Sequence, residues 1–296
     1  LCRPSLTMPE YRQVTDAQIE GYIAYWKIGK LKSFERMTAG IANSNYKVVT
    51  DQGTFLLKIC EEGRIDKIQH QLEALLQLKK FDFPTAYPYP LVEKGSMKET
   101  EYDLVNTYAL REPEPLGILF NFLDGKPGVN YESSEKRMYS LGVACGKLSI
   151  VPAPRPFLKR TMKFPPGESI KPLMEKIRGG DALYEHPFVT NYLRSKLPTL
   201  LGLIRNERLP RAITHGDIFL DNCLWSEETE SMRWMLDFEE VCYEPAILDV
   251  AMTILGCCHE KEDGELKVEW VKAFLSGYCS VRTLTHLECD LLPSMM

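Results

Sequence analysis

The sequence predicts an α+β protein with two lobes, the first an antiparallel sheet plus a helix and the second mainly helical. Strand-like runs cluster before the turn Asp124-Gly125-Lys126-Pro127, whereas helical periodicity dominates after it. A length of 296 residues suits two modest domains, or two lobes that share one core. We therefore place an N-terminal lobe at 1–124 and a C-terminal lobe at 125–296.

The first lobe begins with a predicted helix, because Thr15 and Gln18 form the Thr-x-x-Gln pattern of a capping box. Apolar residues at helical spacing from 64 to 81 predict a second helix. Turn residues 51–53 favour a hairpin between the second and third of four strand-like runs. These runs are Leu31–Met37, Tyr46–Thr50, Thr54–Cys60 and Leu116–Leu123.

The second lobe reads as helices interrupted by short strands. Apolar spacing predicts helices over 138–148, 247–257 and 266–281, with further helix between 187 and 205. A connector rich in proline and basic residues covers 151–172. Short strands are predicted at 211–214, 223–225 and 232–236. The last six residues read as the start of a helix, so we expect the chain to be incomplete there.

Composition excludes several classes of partner. A net charge of −5 gives no electrostatic case for nucleic acid or an anionic membrane, and no apolar run approaches the roughly 20 residues that span a bilayer. The nine cysteines include no C-x-x-C pair and indicate buried thiols in a reducing compartment. We expect a cytoplasmic protein with a small-molecule substrate. Because the chain begins at Leu1, the sequence leaves open whether the protein has a targeting segment. The sequence also does not determine the oligomeric state.

Two acidic residues and one asparagine indicate what chemistry the protein performs. Asp217, Asn222 and Asp237 lie on the predicted hairpin, and Asp-x-x-x-x-Asn is the spacing of the protein-kinase catalytic loop. Asp217 would orient an attacking hydroxyl, and the other two would hold Mg²⁺. An Asx-rich turn explains one such residue, but it does not explain a second acid after the next strand. His215 and Asp249 are expected to brace the loop.

Phosphoryl transfer from ATP also needs groups that bind the nucleotide. Lys58, in an apolar strand, is a candidate for the donor phosphates, with Glu73 on the next helix as its ion-pair partner. A solvated lysine and a solvated glutamate are the alternatives. The small polar loop with Asn43 and Ser44 is a candidate phosphate cover, although it also suits an ordinary hairpin loop. The strand end with Asn121 and Leu123 is a candidate adenine-binding hinge.

The chain resembles the aminoglycoside phosphotransferase/choline kinase-like family of small-molecule kinases. Residues 215–222 (HGDIFLDN) and 237–239 (DFE) match that family's two main motifs. The resemblance covers roughly 15–293 and implies a two-lobed protein-kinase-like fold that uses ATP and Mg²⁺. Within the family the chain is most similar to the homoserine kinases, through 40–46, 123–125, 275–278 and 282–285.

This resemblance implies transfer of the γ-phosphate of ATP to L-homoserine, on the way to threonine. Glu239 and Glu240 could then meet the ammonium group of the acceptor, or form a solvated acidic turn. Segments 97–115 and 155–172 depart from the pattern, so other acceptors stay open: choline or ethanolamine, another hydroxylated amino acid, methylthioribose or an aminoglycoside. The alternative of another class is a catalytically inactive, nucleotide-binding regulatory protein.

Overall fold

The structure is a computed structural model that describes residues 14–37, 43–61, 64–92, 103–111, 115–154, 191, 195–196, 202, 206–260 and 265–296. The chain divides into two compact units. One unit comprises residues 1–76 and 85–124, and the other comprises 77–84 and 125–296. In the described residues, no helix is both long enough and apolar enough to cross a membrane.

The first unit is built on a five-stranded antiparallel sheet with the strand order β1-β2-β3-β5-β4. Its strands are β1 (Leu31–Met37), β2 (Ser44–Thr50), β3 (Thr54–Ile59), β4 (Ala109–Leu110) and β5 (Gly117–Asn121). The helices that begin in it are α1 (Asp16–Ile23), α2 (Ile65–Lys80) and α3 (Asp103–Tyr108).

Alternation along β2 and β3 gives the sheet two chemically different faces. Val48 and Leu57 belong to a fully buried cluster with Ile19 and Tyr22 of α1. The predicted capping box starts α1, because the Thr15 side chain accepts from the Gln18 amide and the Gln18 side chain accepts from the Thr15 amide. The other face of the sheet carries the alternate residues of β2 and β3, which include two lysines.

The turn between β2 and β3 sets the register of that second face. The predicted hairpin at 51–53 is confirmed, and the Thr50 amide donates to the Gly53 carbonyl at 2.8 Å. Asn45 then pairs with Lys58, and Lys47 pairs with Leu56. A shift of one residue would turn one strand over relative to the other and place the two lysines on opposite faces, so the turn determines that both cations share one face.

The described part of the second unit combines helices with two small antiparallel sheets. The sheet orders are β6-β8-β9 and β10-β7. The strands are β6 (Lys126–Pro127), β7 (Arg211–Thr214), β8 (Cys223–Trp225), β9 (Met232–Met235) and β10 (Cys242–Pro245). The helices whose bounds lie within the described residues are α4 (Glu135–Ser149), α5 (Ile247–Cys257), α6 (Val268–Cys279) and α7 (His286–Met295).

Glycines allow α4 and α6 to pack with their backbones in contact. A Cβ atom added to Gly142 of α4 would lie 2.0 Å from the Phe274 carbonyl oxygen. A Cβ added to Gly277 of α6 would lie 2.0 Å from the Tyr139 carbonyl oxygen. Because real Cβ atoms do not approach so closely, only glycine fits at either position.

Several short elements differ from the sequence prediction. The segment expected to be an insertion contains α3 and β4, and β7 pairs with β10, which the sequence did not predict. Elements of two to six residues are too short for a hydrophobic period to mark them. Most of the predicted helical segment 187–205, the connector from 155 onward and the loop 38–42 lie outside the described residues.

Candidate active site

The loop after β7 brings Asp217 and Asn222 into contact. Asn222 ends a 3₁₀ turn (Leu220–Asn222), and its Nδ2 donates to the Asp217 carbonyl oxygen at 2.9 Å and to Asp217 Oδ2 at 3.0 Å. Both side chains are half-buried. Since the amide nitrogen faces Asp217, the amide oxygen of Asn222 is directed away from that carboxylate.

Asp249 holds the start of the same loop. Its Oδ2 accepts from the His215 backbone amide at 2.7 Å, and its Oδ1 accepts from the Gly216 amide at 3.0 Å. Burial raises the pKa of Asp249, while hydrogen bonds from Gly216 and His215 and the nearby His215 ring oppose that rise. The sequence predicted Asp249 as a brace, and the structure places it in this position.

His215 links the loop to the end of the β8–β9 hairpin. Its Nε2 lies 2.7 Å from the Leu236 carbonyl oxygen, and its Nδ1 accepts from the Asp217 amide at 3.2 Å. A carbonyl oxygen only accepts, so Nε2 carries the proton and Nδ1 does not. Burial lowers the pKa of His215, despite the opposing charge of Asp249. The ring is therefore a neutral connector between two strand ends.

The hairpin register brings Asp237 next to Asn222. Cys223 pairs with Met235, and the Leu236 amide donates to the Asn222 carbonyl oxygen at 2.8 Å. Asp237 follows immediately, with its side chain exposed and its backbone in the left-handed region at φ 62° and ψ 62°. Non-glycine residues rarely adopt this conformation, and such strain often occurs at functional sites.

The oxygen donors in this region fit a magnesium ion. Mg²⁺ prefers oxygen ligands and usually binds through one or two carboxylates together with substrate phosphates. The Asn222 amide oxygen and the Asp237 carboxylate are oxygen donors of this type. Within the described residues, no group of three or more His, Cys, Asp or Glu side chains could hold a metal by itself.

Glu239 and Glu240 lie beside the loop 215–222. They belong to a 3₁₀ turn (Phe238–Glu240), and both are half-buried. The Glu240 carbonyl oxygen would lie 2.8 Å from a Cβ atom added to Gly216, whose φ is +79°. Glycine at 216 therefore allows this turn to pack directly against the residue before Asp217.

Two thiols flank the loop 215–222. Cys257 Sγ donates to the Ile218 carbonyl oxygen at 3.6 Å, and Cys223 follows Asn222 in the chain. Burial raises the pKa of Cys223 to about 12 and also raises that of Cys257. Both are therefore neutral thiols near pH 7, and they pack against the loop rather than act as nucleophiles.

In the first unit, Lys58 and Glu73 do not form the predicted ion pair. Lys58 is buried in β3, opposite Asn45 and Ile118. Glu73 Oε1 accepts from Gln69 Nε2 at 3.1 Å, and Glu73 Oε2 is buried without a hydrogen-bond partner. Burial raises the pKa of Glu73, and the Gln69 hydrogen bond opposes that rise only in part.

The side chains of Asn43 and Ser44 contact the segment after β3. Ser44 is buried, and its hydroxyl donates to Glu61 Oε1 at 2.7 Å. Asn43 Oδ1 accepts from the Glu61 amide at 3.2 Å. These side chains therefore fix the beginning of β2. The preceding loop residues 38–42, whose amides were predicted to approach phosphates, lie outside the described residues.

The predicted hinge is anchored at Asn121. Its Oδ1 accepts from the Tyr87 amide at 2.6 Å, and its own amide donates to the Tyr87 carbonyl oxygen at 3.3 Å. Leu123, two residues on, is half-buried. The Asn121 side chain thus secures the strand end to the extended segment at 85–90.

Sequence reasoning missed Lys47. Its Nζ lies 4.8 Å from the centroid of the Phe122 ring, between Asn121 and Leu123 of the predicted hinge. It shares a sheet face with Lys58, because Asn45 and Lys47 alternate along β2 and pair with Lys58 and Leu56. Counting outward from the 51–53 turn would have placed both lysines on one face.

The fold resembles those of known phosphotransferases. Amicoumacin kinase, solved with AMP-PNP, Ca²⁺ and Ami, gives a TM-score of 0.67 at 14% identity and covers 94% of this chain and 81% of that one. Macrolide 2′-phosphotransferase from Brachybacterium faecium gives 0.62 at 14% identity, with coverages of 95% and 88%. The predicted α+β fold of the kinase-like type is confirmed.

Similar sequences cover almost the whole chain. Homoserine kinase of Methylobacillus flagellatus is 25% identical over 299 residues, which cover 98% of this chain and 83% of that protein. Homoserine kinase of Parvibaculum lavamentivorans is 26% identical over 288 residues, with coverages of 97% and 83%. A family model described as the phosphotransferase enzyme family (APH) matches residues 33–288. The chain therefore belongs to the phosphotransferase enzyme family.

Proposed function

We propose that the chain is an ATP-dependent kinase that transfers the γ-phosphate to the side-chain hydroxyl of L-homoserine, giving O-phospho-L-homoserine. The observation that carries this proposal is the match to homoserine kinases over nearly the whole chain. The contact between Asp217 and Asn222 supports it independently, because it joins a base to a candidate metal ligand.

Asp217 has the geometry of a hydroxyl-orienting group. The Asn222 amide binds Oδ2 and the main-chain oxygen of Asp217, which fixes the direction of the carboxylate. His215 accepts from the Asp217 amide and restrains its backbone. A carboxylate held in this way can accept the proton of an acceptor hydroxyl as the phosphoryl group is transferred, with a typical rate effect of about 10²–10⁴.

The Asn222 amide oxygen and the Asp237 carboxylate would hold Mg²⁺. When bound, the ion would neutralise charge on the nucleotide phosphates. The Leu236–Asn222 backbone hydrogen bond keeps these two ligands on adjacent positions of one hairpin. Asp217 is bound to the nitrogen of the same amide, so one side chain aligns the base with the ligand set.

Groups in the first unit would bind ATP. Lys58 is a buried cation on the sheet face that also carries Lys47 and Asn45. Its ammonium group would contact the nucleotide phosphates through charge-assisted hydrogen bonds. Main-chain groups around Asn121 and Leu123 would contact adenine. Asn43 and Ser44 would act through the position of their backbone, since both side chains contact Glu61.

Glu239 and Glu240 would recognise the ammonium group of the acceptor. Both are half-buried on the turn that packs against Gly216, so they lie near the residue that orients the hydroxyl. Partial burial strengthens a carboxylate–ammonium contact relative to one in open water. The buried free cysteines support a reducing compartment such as the cytoplasm.

The test is a panel of acceptors assayed for ADP release with ATP and Mg²⁺. The panel contains homoserine, choline, ethanolamine, hydroxylysine, methylthioribose and kanamycin, with the phosphorylated product identified by ³¹P NMR. We expect homoserine to give the highest kcat/KM. Another acceptor with a higher value would replace homoserine and keep the reaction class. Normal ATP binding with no turnover of any acceptor would favour the inactive regulatory alternative.

Asp217→Asn tests the assignment of the base. It keeps the shape of the side chain but removes its charge, so we expect kcat to fall by about 10²–10⁴ with the melting temperature nearly unchanged. The matched control is Asp221→Asn, because Asp221 is exposed in the same loop and has no role in the proposed chemistry. Equal activities for the two variants would contradict the role of Asp217.

A further inference from the structure

The helix α5 contacts the loop 215–222 at two separate places. Near the start of the helix, Asp249 accepts hydrogen bonds from the backbone amides at the beginning of the loop. Near the end of the helix, the backbone at Gly256 lies directly against the ring of Phe219. The roles proposed above for the loop give no function to this second contact.

The contact between Gly256 and Phe219 leaves no room for a side chain on the helix. A Cβ atom added to Gly256 would lie 2.4 Å from Cε1 of Phe219 and 2.6 Å from its Cδ1. Real Cβ atoms essentially never come within 3.0 Å of such a neighbour. Because glycine forms helices less readily than alanine, the residue at 256 favours this close approach over helix stability.

The helix is the fixed side of this contact, and the ring is the side that can move. Ile254 of α5 is fully buried, and Cys257 Sγ donates to the carbonyl oxygen of Ile218, which is itself fully buried. Phe219, by contrast, is 36% exposed. A methyl group at position 256 would therefore displace the ring rather than the helix.

The backbone of Phe219 connects the contact to Asp217 and Asn222. Phe219 immediately precedes the 3₁₀ turn (Leu220–Asn222), and its carbonyl oxygen accepts from the Asn222 amide at 3.1 Å. The Asn222 side chain in turn donates to Asp217, two residues before Phe219. Movement of Phe219 would therefore change the position of Asn222 relative to Asp217.

We propose that Gly256 and Phe219 are positioning residues for phosphoryl transfer, an inference that rests on the role proposed for Asp217. The ring lies against the helix backbone, and this contact sets where the loop residues between the base and the metal ligand lie. Both residues act through Asp217 and Asn222. A displacement of about 1 Å in a reacting group can lower a rate roughly hundredfold, so such a contact affects catalysis.

Substitutions on both sides of the contact test the inference. Gly256→Ala should lower kcat at least roughly tenfold and leave ATP binding in EDTA unchanged. Phe219→Ala removes the ring without adding an atom to α5, and it should lower kcat roughly three- to tenfold. In the Phe219→Ala background, Gly256→Ala should lower kcat further by less than about twofold, because no ring remains to be displaced.

Two controls separate positioning from a loss of stability. Each kcat is expressed per ATP-binding site, titrated by calorimetry in EDTA, so that unfolded protein is not counted. Gly142→Ala adds the same methyl group at a packed helical glycine that contacts α6, and its kcat per site should equal that of the wild type. The inference would be overturned by equal effects of Gly256→Ala in both backgrounds, or by a wild-type kcat for Gly256→Ala or Phe219→Ala.

Asp217→Asn distinguishes failure of this inference from failure of the proposed function. A low kcat in Asp217→Asn with a wild-type kcat in Gly256→Ala would overturn the positioning role alone. A wild-type kcat in Asp217→Asn would overturn the proposed base and, with it, the positioning role. All assays use the acceptor with the highest kcat/KM, so the result does not depend on homoserine being that acceptor.

Discussion

At the scale of single residues, His215 shows how burial determines a chemical role. Its ring donates through Nε2 and accepts through Nδ1, so only one neutral tautomer satisfies both contacts. Protonation would place two N–H donors where one acceptor is needed and would charge a fully buried ring. In its neutral form His215 therefore holds the backbone of Asp217 through a hydrogen bond.

This role predicts a pH dependence of stability. In the unfolded chain the pKa of His215 is about 6.5, whereas in the folded protein burial lowers that pKa. Between these two pKa values the unfolded state binds one more proton, so the histidine's contribution to stability is lost as pH falls. The free-energy penalty of His215→Gln should therefore be smaller at pH 5.5 than at pH 7.5, by about 1 kcal/mol.

Urea unfolding of both proteins at the two pH values measures this difference. The raised pKa of Asp249 acts in the opposite direction at lower pH, and the comparison between variants removes much of that effect. His286→Gln, at an exposed position, controls for the loss of a histidine. A penalty that stays constant or grows as the pH falls would show that His215 does not remain neutral.

Lys47 gives a second prediction for a single residue. Its ammonium lies over Phe122 and shares a sheet face with Lys58, so it should contact the nucleotide. Lys47→Met keeps the length and apolar part of the side chain and removes the charge. We expect the KM for ATP to rise roughly fivefold, the equivalent of about 1 kcal/mol, with little change in kcat.

Lys32→Met is the matched control for Lys47, because Lys32 is exposed on β1 of the same sheet. Both KM values are measured with the acceptor at saturation. If Lys47→Met left the KM for ATP at the wild-type value, the lysine would only pack against Phe122 and would have no part in nucleotide binding.

At the scale of elements, the α4–α6 contact predicts opposite effects for two glycine-to-alanine changes. Alanine favours a helix over glycine by about 1 kcal/mol, and a Cβ at Gly21 of α1 would meet nothing within 4 Å. At Gly142 the Cβ would meet backbone at 2.0 Å, and such overpacking costs about 1–3 kcal/mol. Gly21→Ala should stabilise the protein, and Gly142→Ala should destabilise it.

Urea midpoints for the two variants provide the measurement, with the m-value checked for two-state behaviour. Because both changes add the same methyl group to a helical glycine, helix propensity cancels between them. A stabilising effect of Gly142→Ala would mean that α4 and α6 can separate without loss, which would contradict the close packing of their backbones.

Elements with a strong local pattern were predictable, and elements defined by distant partners were not. The capping box at Thr15, the hairpin at 51–53 and the long helix α2 agree with their sequence signals. By contrast, β10 forms because Cys242–Pro245 pairs with β7, about thirty residues earlier. Four residues carry too little pattern to predict such a strand from the sequence alone.

The candidate site likewise has features that the sequence predicts and features that it does not. Hairpin register follows from local sequence, so the proximity of Asn222 and Asp237 was predictable. The orientation of Glu73 depends on a competing hydrogen bond from Gln69, one turn earlier on the same helix, and spacing alone does not decide between Gln69 and Lys58. Sequence identifies the residue types at a site more readily than the partner that each residue selects.

At the scale of the whole molecule, ligand binding should raise the free energy of unfolding of the protein. A ligand that binds only the folded state at 100 times its Kd adds about 2.7 kcal/mol. ATP with Mg²⁺ should therefore raise the melting temperature more than ATP with EDTA. Asp237→Asn should remove most of the magnesium-dependent part and keep the shift caused by ATP alone.

Differential scanning fluorimetry at fixed protein and ATP concentrations measures these shifts, with Glu227→Gln as an exposed carboxylate control. An equal shift with Mg²⁺ and with EDTA would mean that the nucleotide binds without the ion. An unchanged magnesium response in Asp237→Asn would mean that the ion is bound by other groups.

The left-handed backbone of Asp237 has a consequence for protein engineering. Glycine at this position would relieve strain of about 1 kcal/mol, so the more stable protein would be the one that has lost the carboxylate. If Asp237 holds Mg²⁺ as proposed, a library selected only for thermal tolerance would therefore accumulate members that have lost activity through changes at this residue. At position 237, the stability of the fold and the proposed binding of Mg²⁺ therefore favour different amino acids.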